Sequence, residues 1–346
     1  MASLGVLIIG AGLSGLTAAN RLVRGLDGVD PAQVAVIERG LTVGGRLATK
    51  RIGRATLDHG AQFFTVRSDE FRREVDEWLA AGVVEEWCRG FGEVDGYPRY
   101  RVAGGMNELA RYLASDLAGA GVDVATGRRV TAIRPGDQGW RIDDEEADRD
   151  GRAGRQQTIT DVSALVVTPP VPLALELLEA GGTLLTPDCS STLDGLAYHR
   201  VIALLAVLDR PPDLPAPGAL QRPDDPTFTF VADNQAKGIS PVPAVTFHTA
   251  HARSADLWPA DDDEIVEALL PTARQMVAPA EIVELQIERW RYTGPVRSHP
   301  DPCLVATVAG VPQPGPLVFA GDGFGGSKLE GAYLSGLAAG AAVTAS

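Results

Sequence analysis

The sequence predicts a two-domain α/β protein. The prediction depends on apolar strand patterns at the two ends of the chain and on a different residue pattern in its middle. Near the start, an apolar run over residues 4–9 leads into Gly10-Ala11-Gly12-Leu13-Ser14-Gly15 and a helical stretch. Such a continuous apolar run is typical of a parallel strand buried on both faces. Residues 317–320 repeat this pattern before an alanine- and glycine-rich helix. Strand patterns separated by proline-rich and helical segments lie between, and they predict an inserted α+β domain built on a mixed sheet.

The first forty residues predict the βαβ beginning of a Rossmann-type domain, because a second strand at Gln33–Glu38 follows the first helix. In the loop, the first glycine permits a tight turn, the second lets backbone approach a pyrophosphate, and the third lets helix pack on strand. Amides at the helix N-terminus then meet the phosphates. Glu38 ends the second strand, where a carboxylate can accept both ribose hydroxyls. The predicted dinucleotide-binding residues are Gly10, Gly12, Leu13, Ser14, Gly15 and Glu38.

The domain boundaries are placed where the pattern of predicted strands, helices and prolines changes along the chain. We expect residues 1–69, 102–172 and 300–346 to form a discontinuous dinucleotide-binding domain. Residues 70–101 and 173–299 then form the inserted substrate domain. No internal repeat is present.

Individual elements follow from local patterns. Ala164–Val167 and Val201–Leu208 are apolar runs that predict strands, as does Ala244–Thr249. Asp263–Val277 is predicted to be helical. The charged tract Asp143–Gln157 contains glycines and has no apolar period, so we expect a solvated hairpin loop there.

Composition and charge exclude several classes of function. The formal net charge of −14 disfavours nucleic acid and anionic membrane as partners. A small anionic substrate stays possible, because local arginines can outweigh the global sign. No apolar run reaches the ~18 residues of a membrane span, and the apolar start lacks a basic n-region. The three cysteines are far apart and form no C-x-x-C pair, so we expect a cytoplasmic protein without a metal site.

Two segments after Glu38 carry a resemblance to a known family. Val43-Gly44-Gly45-Arg46 and Leu57-Asp58-His59-Gly60-Ala61-Gln62-Phe63 resemble the flavin amine oxidase superfamily. In that superfamily a Gly-Gly-Arg loop and an Asp-x-Gly-Ala segment pass along the pyrophosphate and isoalloxazine of FAD. A fixed arginine is suited to a diphosphate. The resemblance implies a glutathione-reductase-like FAD-binding domain, with FAD contacts at Arg39, Gly45, Arg46, Ala61, Gln62 and Phe63.

The C-terminal segment Gly321-Asp322-Gly323-Phe324 supports the same resemblance. In the superfamily this aspartate reaches the ribityl chain and the diphosphate region, and the ring edge rests on the following helix N-terminus. The resemblance adds Val130, Gly321, Asp322 and Leu329 to the FAD contacts, with Val130 at the adenine. Because no cysteine lies near 321–324, we expect FAD to be bound noncovalently.

Within the superfamily the chain most resembles renalase and its bacterial relatives, over nearly its whole length. The matching segments are 60–65, 100–109, 247–249, 288–291 and 321–324. Renalases oxidise dihydronicotinamide isomers of NAD(P), reduced at ring carbon 2 or 6, to NAD(P)+. Hydride passes to the flavin, and O2 then takes the electrons and gives hydrogen peroxide. The resemblance implies an FAD-dependent oxidase for metabolite repair, with a small-molecule dinucleotide and O2 as partners.

The renalase resemblance also implies four catalytic residues. Gln62 and Phe63 match positions near the flavin ring, and His248 and Trp290 match positions that face it and could hold the nicotinamide. From the pattern alone, His248 shares a strand face with Thr246, so it need not lie in the core. A core role stays open for both His248 and Trp290. Candidate phosphate contacts are Arg253, Arg289, Arg291 and Lys328.

The sequence is also compatible with two other functions. One is a flavin amine oxidase, or a porphyrinogen- or carotenoid-type dehydrogenase. The other is a non-catalytic sensor that binds FAD without turning over a substrate.

Overall fold

The computed structural model describes residues 5–25, 28–91, 95–147 and 153–345. It shows a mixed α/β fold in which a Rossmann-like parallel sheet and a second, antiparallel sheet are both present. The predicted fold class is therefore confirmed.

Across the described residues, the strands are β1 (Val6–Ile9), β2 (Val34–Ile37), β3 (Thr49–Ile52), β4 (Ala55–Asp58), β5 (Val84–Cys88), β6 (Arg99–Val102), β7 (Asp123–Ala125), β8 (Arg128–Pro135), β9 (Trp140–Ala147), β10 (Ala153–Val162), β11 (Ala164–Val167), β12 (Val201–Leu208), β13 (Ala219–Gln221), β14 (Phe228–Asp233), β15 (Ala244–Thr249), β16 (Ile282–Trp290), β17 (Leu304–Ala306) and β18 (Leu317–Phe319). The helices are α1 (Leu13–Arg24), α2 (Asp69–Ala80), α3 (Asn107–Gly119), α4 (Val171–Ala180), α5 (Pro187–Asp194), α6 (His251–Leu257), α7 (Asp262–Val277) and α8 (Lys328–Ala345).

Residue contacts divide the chain into two units. The first comprises Met1–Gly45, Ala110–Ala197 and Gly294–Ser346, and the second comprises Arg46–Leu109 and Tyr198–Thr293. These units place residues such as 46–69 and 173–197 differently from the domains expected from sequence texture. The domain boundaries remain a prediction.

The first unit is built on a sheet with the strand order β17-β18-β11-β1-β2-β7. Strand β1 pairs in parallel with β2 on one side and with β11 on the other, with Val6 opposite both Val34 and Ala164. Every residue of these three strands is buried, which explains their continuous apolar runs. Helices α1 and α8 pack closely at Gly336. A Cβ at this position would lie only 2.4 Å from the Ser14 carbonyl oxygen, so the close approach depends on glycine.

The charged tract Asp143–Gln157 was expected to be a loop, and this prediction is wrong for the part that the structure describes. Strands β8, β9 and β10 form an antiparallel sheet that includes most of the tract, while residues 148–152 lie outside the described residues. Its charges pair across the strands: Arg128 binds Asp144 at 2.7 Å, and Arg129 binds Glu145 at 2.9 Å. Cross-strand ion pairs stabilise a sheet without any apolar alternation, so the tract resembled a solvated loop.

The second unit is built on an antiparallel sheet with the order β13-β14-β15-β12-β16. Helix α7 begins with a capping box formed by Asp261 and Glu264, and its apolar face packs on Ile202 and Leu204 of β12. The opposite face of β12 carries Leu205, which packs against Leu57 of β4. Burial on both faces explains the uninterrupted apolar sequence of β12.

Candidate functional site

The segment that joins β1 to α1 requires glycine at two positions, one in the loop and one in the first turn of α1. Gly10 has a φ of +101°, which side chains rarely adopt, and a Cβ there would lie 2.5 Å from Thr168 Oγ1. A Cβ at Gly15 would lie 2.0 Å from the Gly10 carbonyl oxygen. Helix α1 can therefore start directly beside the loop only because position 15 lacks a side chain.

Bare backbone surrounds the start of α1. Gly44 N donates to the Ala11 carbonyl at 2.8 Å and thereby brings the Gly44-Gly45 turn beside the first loop. A Cβ at Gly12 would have no neighbour closer than 3.9 Å, and one at Gly45 none closer than 3.6 Å. Ser14 Oγ is buried and has no hydrogen-bond partner among the described residues. Open backbone, helix amides and an unpaired hydroxyl together fit a diphosphate.

Glu38 has a structural role that its sequence position did not reveal. Its Oε2 accepts from Ala11 N at 2.9 Å, and its Oε1 accepts from Gly40 N at 2.7 Å. The buried carboxylate thus ties the glycine-rich loop to the end of β2. Each carboxylate oxygen can accept more than one hydrogen bond, so the predicted ribose contact is compatible with this geometry. The neighbouring Arg39 side chain is exposed.

The C-terminal residues of the predicted FAD site lie in the first unit. Gly321 has a φ of +137°, and its N–H donates to Ser335 Oγ at 2.8 Å. Asp322 is buried, as is Leu329 in the first turn of α8. Val130 is buried in β8. The FAD contacts assigned to these residues remain predictions.

In the second unit, Asp58 at the end of β4 is the centre of a buried polar network. Its Oδ1 accepts from Thr49 Oγ1 at 2.6 Å and from Met106 N at 2.8 Å. Its Oδ2 accepts from Lys237 Nζ at 2.6 Å, and both side chains of this ion pair are fully buried. Burial lowers the pKa of Lys237, and the Asp58 carboxylate opposes that effect.

The backbone of Asp58 is held as firmly as its side chain. Its carbonyl accepts from Thr246 Oγ1 at 2.8 Å and from Gln62 Nε2 at 2.6 Å. Asn234 accepts from Asp58 N at 3.3 Å and donates to Thr246 Oγ1 at 3.0 Å. The segment that starts at Asp58 therefore has a fixed position in this unit.

His59 brings two of the predicted catalytic residues together. Its carbonyl oxygen accepts from Trp290 Nε1 at 2.8 Å and lies 3.1 Å from His248 Nε2. The His59 and Trp290 rings are 5.3 Å apart between centroids. His248 does share a strand face with the buried Thr246, as predicted, while Phe247 on the opposite face lies in the α7 core.

Both histidines of this group are neutral near pH 7. Burial lowers the pKa of His248 to about 4. Burial also lowers the pKa of His59, although the negative charge of Glu288 acts in the opposite direction. Neutral imidazoles at both positions leave the group with hydrogen-bonding capacity but no fixed positive charge.

Gln62 and Phe63 have different surroundings. Gln62 is buried, and its Oε1 has no partner among the described residues. Phe63 packs in an aromatic cluster with Trp87, Phe91 and Phe230, at ring-centroid distances of 6.4, 5.0 and 5.7 Å. Ala61 N donates to the Arg46 carbonyl at 2.9 Å, and Arg46 Nη1 donates to the Thr293 carbonyl at 2.9 Å.

Among the candidate phosphate contacts, Arg289 is already engaged. Its guanidinium binds Asp262 at 2.6 Å and the Ala260 carbonyl at 2.9 Å, at the start of α7. Arg291 lies over the Tyr292 ring, 5.3 Å from its centroid.

Three residues of the second-unit site escaped the sequence reasoning: Asp58, His59 and Lys237. Asp58 and His59 belong to the segment that carries the family resemblance, but no pattern in the sequence assigned either of them a role. Lys237 follows β14 in a turn and matches no motif. Its pairing with a residue 179 positions away has no local sequence signal.

Within the described ranges, no helix is long and apolar enough to cross a membrane. The same ranges contain no group of three or more His, Cys, Asp or Glu side chains arranged to hold a metal ion.

Comparison with known proteins gives consistent matches. A family model described as flavin containing amine oxidoreductase matches residues 84–344, and one described as an NAD(P)-binding Rossmann-like domain matches residues 8–78. Cyclohexylamine oxidase from Brevibacterium oxydans IH-35A is 15% identical, with a TM-score of 0.64 over 99% of each chain. Wild-type putrescine oxidase bound to putrescine is 17% identical, with a TM-score of 0.64 over 99% of each chain. An oxidoreductase from Methanosarcina mazei is 15% identical, with a TM-score of 0.61 over 96% of this chain and 99% of that one. At these identities the structural likeness shows the fold alone.

Proposed function

This chain belongs to the family of flavin-containing amine oxidoreductases, and we propose that within it the protein is an FAD-dependent oxidase of 2- and 6-dihydro isomers of NAD(P). The products are NAD(P)+ and hydrogen peroxide. FAD, when bound, supplies the hydride acceptor and passes the electrons on to O2. The work of the polypeptide is to bind the two ligands, orient the pyridine ring and exclude unproductive poses.

The residues of the first unit support noncovalent FAD binding. Open backbone at Gly12 and Gly45 and the unpaired Ser14 hydroxyl would hold the diphosphate. Glu38 keeps the glycine-rich loop in place and has lone pairs left for the ribose. Arg46 begins the second unit, and its phosphate contact remains a prediction from the family resemblance.

The observation that carries the substrate proposal is the convergence of Trp290 and His248 on the His59 carbonyl. This arrangement fixes an indole and two neutral imidazoles in one group. Such flat, uncharged side chains suit a flat dihydropyridine. Oxidation turns that ring into an aromatic cation, and neutral histidines would not repel it. The step needs no side chain to remove a proton, so the lack of a charged base in this group is no obstacle.

The charges around this group favour a ring over an amine as the substrate. An alkylammonium ion is bound well by an ionised carboxylate. Asp58 is already paired with Lys237 at 2.6 Å, and Glu288 with Lys50 at 2.5 Å. Neither carboxylate is left to hold an ammonium group without losing its lysine.

The test is product formation by the purified flavoprotein in air. Hydrogen peroxide and NAD(P)+ are measured with the 2- and 6-dihydro isomers, with ordinary 4-dihydro NAD(P)H, and with putrescine and cyclohexylamine. We expect turnover of the isomers and little of the other donors. Turnover of the amines without turnover of the isomers would make the protein an amine oxidase instead.

A further inference from the structure

Two buried polar atoms of one short segment lack a partner among the described residues. They are Oε1 of Gln62 and Nδ1 of His59. A buried polar atom without a hydrogen bond costs about 1–3 kcal/mol, so native proteins rarely keep one without a reason. The two atoms belong to residues three positions apart in one fixed segment, and the His59 ring lies beside that of Trp290, so the pair points to a ligand that supplies both partners.

The neighbours of Gln62 determine which of its two amide atoms, Nε2 or Oε1, lacks a hydrogen-bond partner. Its Nε2 lies 2.6 Å from the Asp58 carbonyl oxygen and 3.3 Å from the Gly60 carbonyl oxygen. Carbonyl oxygens only accept, so the NH2 group must face them. The remaining Oε1 is an acceptor, and its partner must carry an N–H or O–H.

His59 can supply the complementary donor. Its imidazole is neutral, because burial lowers its pKa, and a neutral imidazole carries one proton that can sit on Nδ1. The ring lies beside Trp290, at a centroid distance of 5.3 Å. The His59 backbone is fixed by the bonds that its carbonyl accepts, so the direction of Nδ1 is restricted.

The buried ion pair between Lys237 and Asp58 holds this arrangement in place. Asp58 is bonded through its side chain to Lys237 at 2.6 Å and to Met106 N at 2.8 Å. Its carbonyl is the acceptor that orients Gln62. Lys237 forms its hydrogen bond with Asp58, and among the described residues it has none with Gln62 Oε1 or His59 Nδ1. It therefore acts through Asp58 as a positioning residue.

We propose that Gln62 Oε1 and His59 Nδ1 together bind an amide-type edge, an N–H next to a carbonyl, on a flat heterocyclic ligand. Two ligands carry this chemistry. One is the carboxamide of a dihydronicotinamide, and this source rests on the proposed function. The other is the imide edge of the flavin ring, and this source does not.

The experiment compares four forms of the purified flavoprotein. Gln62→Met removes the acceptor at similar length, and His59→Phe removes Nδ1 but keeps the ring and the backbone carbonyl. Gln286→Met is the matched control, because Gln286 lies on β16 and donates to Glu284 at 3.2 Å. The melting temperature shows that each variant is folded.

The substrate arm measures kcat/KM for a 2- or 6-dihydro donor with its natural carboxamide and for the N,N-dimethyl analogue, which has no amide N–H. If the carboxamide is the ligand, the wild type prefers the natural donor by about tenfold or more. Gln62→Met loses this preference through a higher KM, and His59→Phe weakens both donors. The control keeps the wild-type preference, and flavin content is unchanged in every form.

The flavin arm measures FAD retained after dialysis and the absorbance maxima of the bound flavin. If the flavin imide is the ligand, Gln62→Met and His59→Phe lose FAD about tenfold more readily and shift the spectrum, while donor preference stays as in the wild type.

Each outcome has a separate meaning. Folded Gln62→Met and His59→Phe with wild-type donor preference, flavin retention and spectrum would overturn the inference. A wild type that oxidises no dihydro isomer contradicts the proposed function, and the flavin arm alone then decides whether the amide-type edge is bound.

Discussion

Lys237 donates to Asp58 across 2.6 Å, and neither side chain is exposed to solvent. A pair of this kind is costly to bury, and its net contribution to the free energy of folding is often small. Its value here lies in position, because Asp58 begins the segment that carries His59 and Gln62.

Lys237→Met should lower the free energy of unfolding by about 3–5 kcal/mol, because it leaves the Asp58 carboxylate buried and unpaired. The double variant Asp58→Asn/Lys237→Met should recover most of this loss, since no charge remains. Urea unfolding followed by circular dichroism measures both. Lys50→Met is the control: its ion pair with Glu288 is partly exposed and should cost less than about 1 kcal/mol. Equal losses for Lys237→Met and Lys50→Met would contradict this account of the pair.

Glu38→Ala should reduce both FAD retention and the stability of the first unit. The reason is that Glu38 accepts from Ala11 N and Gly40 N as well as having capacity for a ribose. We expect about 1–3 kcal/mol of lost stability for the unsatisfied amides. Glu38→Gln keeps an acceptor oxygen and should lose less. Bound flavin per protein after dialysis and the melting temperature of the apoprotein are the measurements. An apoprotein as stable as wild type would show that the loop does not depend on this carboxylate.

Acid should destabilise the fold through His248. Its pKa is about 4 in the folded protein and ordinarily 6.5, so the unfolded chain binds the proton more readily. The stability from the neutral ring is fully present above pH 6.5 and is lost as the pH falls toward about 4. His59 acts in the same direction. Melting temperatures across this range should fall less steeply for His248→Gln, which keeps a donor but does not titrate. Parallel curves for the two proteins would exclude His248 as a source of the acid sensitivity.

Acid or heat precipitation of the protein should release chemically intact FAD into the supernatant, because we propose that FAD is held without a covalent bond. The three cysteines, Cys88, Cys189 and Cys303, are free thiols that are only half-buried. Absorbance of the supernatant and mass measurement of the released flavin provide the test. Flavin that stays with the washed precipitate would refute noncovalent binding.

The sequence was informative where a local pattern directly reports burial or a tight turn. Ala164–Val167 and Val201–Leu208 have the predicted bounds, because apolar runs directly report burial on both faces. The glycine-rich loop was identified because a tight turn and a close helix each require glycine at a set spacing. The face of His248 followed from the alternation along β15.

Long-range polar contacts could not be predicted in this way. The partner of Asp58 is 179 residues away, and the anchor for Trp290 and His248 is a backbone carbonyl, which every residue possesses. The charged residues of β9 resembled a loop, because their ion pairs with arginines of β8 leave no apolar period. A buried atom without a hydrogen-bond partner, such as Gln62 Oε1, can be recognised only from the three-dimensional structure, where its neighbouring donors are known.

In the function that we propose, the group formed by His59, His248 and Trp290 orients a dihydropyridine for oxidation. Trp290→Phe and His248→Gln should therefore slow the reaction about tenfold or more while FAD stays bound, because misplaced ligands lose rate steeply. The control is Trp258→Phe in the same unit, whose ring lies beside Arg200 and packs against the core under α7.

The most direct measurement is anaerobic stopped-flow mixing of the purified flavoprotein with each donor, following the loss of oxidised-flavin absorbance in a single turnover. We predict rapid bleaching by the 2- or 6-dihydro isomers of NAD(P)H and far slower bleaching by the 4-dihydro form, putrescine and cyclohexylamine. Bleaching by the amines but not by the isomers, or by no donor at all, would contradict the account.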